Sequence, residues 1–274
     1  MKVITFDVEH GSSHIIRTLN DQIVMIDAGS REDFSPAIYL KETWNITRVW
    51  FTLTHHDADH LTNINNVAEH LSVYALSAQT FTPDQLSQLY TGEFSTPLEV
   101  FLEYSKQFIF PIPPINDPSY NWGGVQFAVF YNNFSDFENP NTNDLSRVTF
   151  AHYLGWTFIF PGDLEKPGWR KLLERPEFRD WLQRVDIFIA SHHGRESGFC
   201  EEVFNYAAPK LIIMSDKSQS ETSCPEKYRP FTQGLNVVNA AGINMKRRIL
   251  TTRSDGAILV DIDPQGRYRI TTSK

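Results

Sequence analysis

The segment Thr54-His55-His56-Asp57-Ala58-Asp59-His60 packs three imidazoles and two carboxylates into seven residues. Imidazole and carboxylate together suit first-row divalent metals. On a loop leaving a strand, His55 and Asp57 can point one way while Asp59 and His60 turn toward a neighbouring position. Two later segments have the same build, Gly162-Asp163 and Ser191-His192-His193-Gly194, and each follows a short apolar run. Five of the nine histidines fall in the loops at 55–60 and 192–193. A glycine beside a ligand lets the backbone approach a bound ion closely. Taken together the three loops predict a metal site.

These loops need a scaffold, and the apolar pattern supplies one. Lys2 to Val8, Ile15-Ile16 and Ile23 to Ile26 read as strands, with turns at His10 to Ser13 and Asn20-Asp21. Pro36 to Trp44 reads as a helix. Arg48 to Thr54 is mostly apolar, as a strand buried on both faces would be. The histidine cluster follows it directly, and Leu61 to Leu71 then reads as a helix. Ser72 to Ala78 predicts a strand, residues 83 to 108 a helical stretch with Pro97 at a helix start, and residues 110 to 122, with four prolines, a loop. Val125 to Tyr131, Arg147 to His152 and Thr157 to Phe160 predict strands, and Asn132 to Asn143 a polar loop. Pro167 to Arg184 predicts a helix interrupted near Pro176. Asp186 to Ala190, Leu211 to Ser215, Arg248 to Thr252, Ala257 to Asp261 and Arg267 to Thr272 complete the strands. The expectation is one domain over residues 1 to 274, with two sheets and helices outside.

Composition narrows the class. Of 274 residues 41% are hydrophobic and 21% charged, which is the balance of a globular chain. A net charge of -8 argues against a dedicated, non-specific nucleic-acid binder, though not against a nuclease, whose metal ions offset the local field. Two cysteines, Cys200 and Cys224, are read as reduced thiols. Asp7 and Glu9 break the apolar start, so no signal segment is read there, and no run of eighteen apolar residues exists. The expected location is cytoplasmic, without membrane contact.

The motifs resemble those of the metallo-β-lactamase superfamily. The pattern there is His-x-His-x-Asp-His after a strand, an Asp before Gly near the start, a later Asp and a final His. This chain shows Asp27-Ala28-Gly29, His55 to His60, Gly162-Asp163 and His192-His193-Gly194 in that order. The branch it looks most like is the hydrolase domain of ComEC-type competence proteins. That branch also places Asp where Asp57 stands, and it has elements similar to Phe6-Asp7-Val8, Asn143 to Ser146 and Thr252 to Ile258. The resemblance implies an α+β fold, an αββα four-layer sandwich with two mixed β-sheets and helices on the outer faces, and two divalent metal ions, zinc or manganese with magnesium as a further candidate. By it, His55 and Asp57 hold the first metal. Asp59 and His60 hold the second with His192 or His193, and Asp163 bridges both. Asp27 orients the histidine loop. Four features depart from the branch: Glu9-His10 replaces Gly-Gln, Leu61-Thr62-Asn63 lacks the glycine that follows the motif, Ser223-Cys224-Pro225 stands where a His-Pro is common, and a third histidine between the two clusters is missing. Only His70 and His152 lie in that interval; the first is too early, and the second is read as a packed or surface residue.

The chemistry so implied is hydrolysis by a hydroxide shared between two ions, and the catalytic candidates are Asp59 and His193. Asp59 would orient the water; the histidine of the 192/193 pair that is not a ligand would donate a proton or hold an oxyanion. Ser146, Asn143, Arg195 and His56 are candidate substrate contacts, with Asn143 or Ser146 also in the place of the third histidine. An Asp at position 57 hardens the site and favours phosphodiester hydrolysis, of nucleic acid or another phosphodiester. Lys246-Arg247-Arg248 and Arg253 form a basic cluster that could touch such a backbone. Two alternatives stand beside this: a hydrolase of a small lactone, lactam or thioester, and a non-catalytic metal-binding module acting with a protein partner or as a homo-oligomer.

Overall fold

The computed structural model describes residues 1–108, 115–217 and 223–274. The strands are β1 (Lys2–Thr5), β2 (His14–Arg17), β3 (Ile23–Ile26), β4 (Arg48–Thr52), β5 (Ser72–Ser77), β6 (Gln126–Phe130), β7 (Val148–Tyr153), β8 (Trp156–Phe160), β9 (Ile187–Ile189), β10 (Leu211–Met214), β11 (Leu235–Val238), β12 (Asn244–Arg247), β13 (Ile249–Thr251), β14 (Ile258–Ile262) and β15 (Tyr268–Thr272). The helices are α1 (Pro36–Trp44), α2 (Ile64–His70), α3 (Pro83–Leu89), α4 (Thr96–Ser105), α5 (Lys166–Leu173), α6 (Pro176–Leu182), α7 (Pro225–Tyr228) and α8 (Thr252–Asp255).

Two mixed sheets form. One has the order β12-β11-β15-β14-β1-β2-β3-β4-β5, the other β13-β10-β9-β8-β7-β6. Side chains alternate across each strand, so each sheet has two apolar faces. Val24 and Ile26 of β3, Phe158 and Phe160 of β8 and Ile187 and Ile189 of β9 meet in the core between the sheets. Ile23 and Met25 face the other way, onto Ala37 and Leu40 of α1, Ile64 and Val67 of α2 and Leu98 and Phe101 of α4. Ile159, Phe188 and Ile212 pack outward against Trp169 and Leu172 of α5 and Phe178 and Leu182 of α6. The result is a four-layer αββα sandwich.

Strand direction then decides where a site can form. β3, β4 and β5 run parallel in one sheet, and β8, β9, β10 and β13 run parallel in the other. The loops carrying Asp27, His55 to His60, Asp163 and His192-His193 all leave the C-terminal ends of these strands.

Several elements differ from expectation. Residues 83 to 108 are two helices, and both begin with Pro at the first turn, where its missing N–H costs nothing. The second helical stretch breaks at Pro176, as the sequence indicated. The hairpin β11–β12 was not anticipated; its strands are short, and β12 is exposed except at Arg247. Residues 115–122 are loop, yet Ile115 and Trp122 are buried in the inter-sheet core, where Trp122 and Tyr120 meet Trp50 edge-on. Residues 110–114 lie outside the described residues. Both cysteines are free thiols. Among the described residues no helix is long and apolar enough to cross a membrane.

Candidate metal centre

Asp27 organises the site from below. It ends β3 at φ 60 and is fully buried. Its Oδ1 accepts the Thr54 N–H (2.8 Å), and Thr54 Oγ1 donates to the carboxylate at 2.9 Å. Its Oδ2 accepts His60 Nδ1–H at 2.7 Å. That bond fixes the tautomer of His60 and leaves Nε2 free for the site.

Asp163 reaches the same point from β8. Gly162, at φ 60, makes the approach possible: a Cβ there would sit 2.6 Å from Thr54 Cβ. Ser146 Oγ accepts the Asp163 N–H at 3.2 Å. The β9 loop is tied to the β8 loop through its own backbone, since the His192 N–H donates to the Gly162 carbonyl at 3.1 Å. His192 and His193 both adopt positive φ, 49° and 56°. Such a conformation costs roughly 1–3 kcal/mol per residue and persists only where the surroundings enforce it. It turns His193 inward. His193 Nδ1–H donates to the Ser215 carbonyl at 3.1 Å, so its Nε2 also faces the site.

Asp59, His60, Asp163 and His193 thereby converge, with one ligand atom from each all within 4.8 Å of one another. His193 Nε2 lies 3.1 Å from Asp59 Oδ2 and 3.3 Å from Asp163 Oδ2. His60 Nε2 lies 3.1 Å from Asp163 Oδ1 but has no hydrogen-bond partner, and it is buried. Burial disfavours charge on His193, but Asp163 and Asp59 outweigh it and raise the ring to about 9. Burial likewise opposes charge on His60, and Asp163, Asp27 and Asp59 raise it well above the usual histidine range. Asp163 is lowered well below the ordinary carboxylate range: burial pulls the other way and loses to His193 and His60. Two firmly held imidazolium protons therefore balance the two carboxylates of this cluster. A divalent cation can replace those two protons without changing the charge, and the orphaned nitrogen of His60 gains a partner. The donor set of two imidazoles and two carboxylates fits a divalent metal ion.

The other expected ligands stand differently. His55 Nε2 is 3.6 Å from Asp57 Oδ2, is buried and has no hydrogen-bond partner. The His55–Asp57 pair sits beside the cluster, with the His55 ring 4.2 Å from that of His60, but does not join it. His192 is also outside the cluster. Its Nε2 is 3.7 Å from Asp163 Oδ2, and Nδ1 is 3.0 Å from Glu165 Oε1 and 2.9 Å from Ser197 Oγ. Arg195 donates to His192 Nε2 at 3.2 Å and to His10 Nε2 at 3.3 Å. It therefore spans the rim of the cluster between these two histidines.

Three assignments change with the geometry. Ser146, expected at the substrate, is fully buried, and its hydroxyl positions the Asp163 loop. Asn143 donates to Glu165 at 3.4 Å, so it braces the neighbour of His192. His56 is buried against Phe81 and Phe101, where burial pushes its pKa down to about 4, and it borders a cavity of about 190 Å³. Two of the four cations of the basic cluster face acids: Arg247 makes a bidentate pair with Asp255 (2.9 and 3.1 Å), and Arg253 lies 3.5 Å from Asp216. His152 on β7 is half-buried and bonds Thr157 Oγ1 at 2.9 Å, away from the cluster.

Two site residues were missed. His10 lies 3.5 Å from Asp59 Oδ2, with its ring 4.9 Å from that of His193. His14, on β2, bonds Thr5 and Ser12 at 3.0 Å and lies fully buried beneath the cluster, its pKa lowered to about 4 by burial. A histidine facing inward from β2, next to three polar residues, was the available signal for the second.

No family model and no curated protein matches the chain by sequence. Among solved structures, it is similar to a protein of Parabacteroides distasonis designated a metal-dependent hydrolase, at 12% identity and a TM-score of 0.48, over 91% of this chain and 92% of that one. It is also similar to CmlA, a diiron β-hydroxylase from Streptomyces venezuelae, at 10% identity and a TM-score of 0.46, over 78% of this chain and 44% of that one. A third is the B3 metallo-β-lactamase BLEG-1, at 17% identity and a TM-score of 0.33, over 59% of this chain and 71% of that one.

Proposed function

We propose that this chain is a metal-dependent hydrolase of the metallo-β-lactamase type, acting on a phosphodiester. The observation that carries the reading is the convergence of Asp59, His60, Asp163 and His193 at the end of the sandwich, each histidine held by a partner behind it. When bound, a divalent ion supplies Lewis-acid polarisation and brings the pKa of a water toward neutrality. The protein supplies the rest. Asp27 and Ser215 hold His60 and His193 with their Nε2 atoms inward. Asp59 stays ionised, because His60 and His193 outweigh the burial that opposes its charge. Its carboxylate is therefore an acceptor that can orient a water. Arg195 presents a planar cation at the rim between His10 and His192, suited to an oxyanion of a phosphate. His192 Nδ1–H donates to Glu165 and its Nε2 accepts from Arg195, so the ring holds that guanidinium at the rim. His55 and Asp57 would hold a second ion only with further ligands, so the four-residue cluster fills first.

The test is metal analysis of the purified protein followed by assays on bis-p-nitrophenyl phosphate, single- and double-stranded DNA, and RNA with Mn²⁺ or Zn²⁺. The expected result is at least one tightly held equivalent and turnover that Asp59→Ala abolishes. His193→Ala should lose the metal, and His192→Ala should keep it while losing turnover. No bound metal would sink the reading, and turnover of a lactone or nitrocefin with none of a phosphodiester would replace its substrate class.

A further inference from the structure

Arg147 is a buried cation with no counter-ion among the described residues. It precedes β7, one residue after Ser146, and only 9% of it is exposed. Its backbone N–H donates to the Thr54 carbonyl at 2.8 Å, so its side chain springs from the wall of the metal centre. One Nη donates to Ser77 Oγ at 2.8 Å, and the guanidinium carbon lies 5.0 Å from the centre of the Tyr131 ring. Its Nε has no hydrogen-bond partner. Among the described residues no carboxylate forms an ion pair with it, whereas Arg31, Arg170 and Arg247 each have one. Leaving such a charge buried and unpaired costs several kcal/mol.

The guanidinium lines a cavity of about 340 Å³ with Gln79, Thr80, Gln85, Tyr131 and Asn133. The wall is built rather than loose: Gln79 donates to the Asn132 and Leu145 carbonyls at 3.0 and 2.9 Å. Gln79, Thr80 and Phe81 also border the smaller apolar cavity that reaches His56, in the metal-binding loop. A polar pocket with a fixed, unneutralised cation therefore adjoins the loop that carries His55 to His60.

We propose that Arg147 and this cavity form an anion subsite that receives an oxyanion group, phosphate or carboxylate, carried by the substrate away from the bond that is cut. Only the clause about the substrate rests on the hydrolase reading; the binding of the anion does not. The planar guanidinium suits both oxyanions, and the arms of the test separate them.

The experiment uses metal-free full-length protein, so that anions have no metal to bind. Thermal unfolding is followed with increasing inorganic phosphate and, separately, acetate. Wild type is expected to gain several degrees with one of the two anions, which names the source. Arg147→Met should show no such gain. Methionine fills much of the same space and removes the unpaired charge, so its melting temperature without anion should match or exceed that of wild type. Arg147→Lys, which keeps the charge, should retain part of the gain. No shift in wild type with either anion overturns the proposal. So does an equal shift in Arg147→Met, or a collapse of that variant's stability without anion. Turnover tests the substrate clause. Arg147→Met should raise KM about tenfold for a dinucleotide bearing a terminal phosphate, with kcat little changed, and leave KM for bis-p-nitrophenyl phosphate alone. Equal KM changes for both would overturn that clause while the anion result stands.

Discussion

Asp27→Asn isolates what holds the centre together. The substitution is nearly isosteric, and asparagine enters the positive-φ region occupied by Asp27 more readily than most residues. An amide can still accept from Thr54 through its oxygen. Its nitrogen then faces His60 Nδ1–H where a carboxylate oxygen stood at 2.7 Å. Donor meets donor. The neutral ring that binds a metal must then carry its one proton on Nε2, the atom aimed at the cluster, or rotate away; either removes it from the ligand set. Losing a hydrogen bond to a charged acceptor costs about 1.5–3 kcal/mol. Losing the partner that orients a metal-bound histidine typically costs about 10–100-fold in affinity, which is about 1.4–2.8 kcal/mol, so the two routes agree. Competitive titration with a chromogenic chelator, for Zn²⁺ and Mn²⁺, measures it directly. Unfolding at the assay temperature is monitored in parallel, so that lost affinity is not lost fold. A dissociation constant within twofold of wild type would refute the argument that Asp27 sets the ligand state of His60.

The charge balance of the centre predicts proton release. At pH 7 the metal-free cluster carries protons on His60 and His193, so binding a divalent ion should expel about two, seen by calorimetry in buffers of different ionisation heat. The sign for stability follows: His193 is raised in the fold to about 9, so its contribution is full below about 6.5 and is lost as pH climbs through 9, an effect on the order of 3 kcal/mol. The melting temperature of metal-free protein should therefore fall between pH 7 and 9.5, and a flat profile would count against the cluster's charges. Gly162→Ala should lower the melting temperature by several degrees and weaken metal binding, because the new Cβ would stand 2.7 Å from Thr54 Oγ1 and push it off Asp27. Unchanged metal affinity would show that Thr54 can yield without disturbing Asp27.

Most of the scaffold could be read before the structure because its signal is local. An apolar run such as Ile23 to Ile26 has to be a strand with two buried faces, and the structure divides those faces between the inter-sheet core and the α1–α2 layer. Pro97 at a first helical turn marks α4 in the same local way, whereas the break between α3 and α4 carried no signal that was read. The hairpin β11–β12 was invisible for the opposite reason. Asn244, Met245 and Lys246 are exposed, so burial imposes no pattern on them; the strand exists because β11 offers it an edge. The burial of Trp122 was hidden as well, since a proline-rich loop gives no sign that it will fold back on Trp50.

The site shows where such reading ends. The ligand types of residues 55 to 60 are plain in the sequence, but the pairing of ligands depends on how the chain turns after β4. Asp57 is extended, and the chain then curls through Ala58–His60, which sends Asp59 and His60 toward β8 and β9 and leaves His55 and Asp57 behind. Likewise His192 and His193 are equivalent on paper. Both adopt positive φ, which makes their rings diverge, one turned to Glu165 and one to the cluster. That backbone is held in place by Gly162, Ser215 and the tight seat of Gly198, where a Cβ would meet the Ser191 carbonyl at 2.5 Å. The choice of ligand at the centre is thus made by residues that never touch an ion. Arg147 belongs to the same class: nothing in its neighbours along the chain marks it, and it becomes a candidate for binding because, among the described residues, no acid pairs with it in three dimensions.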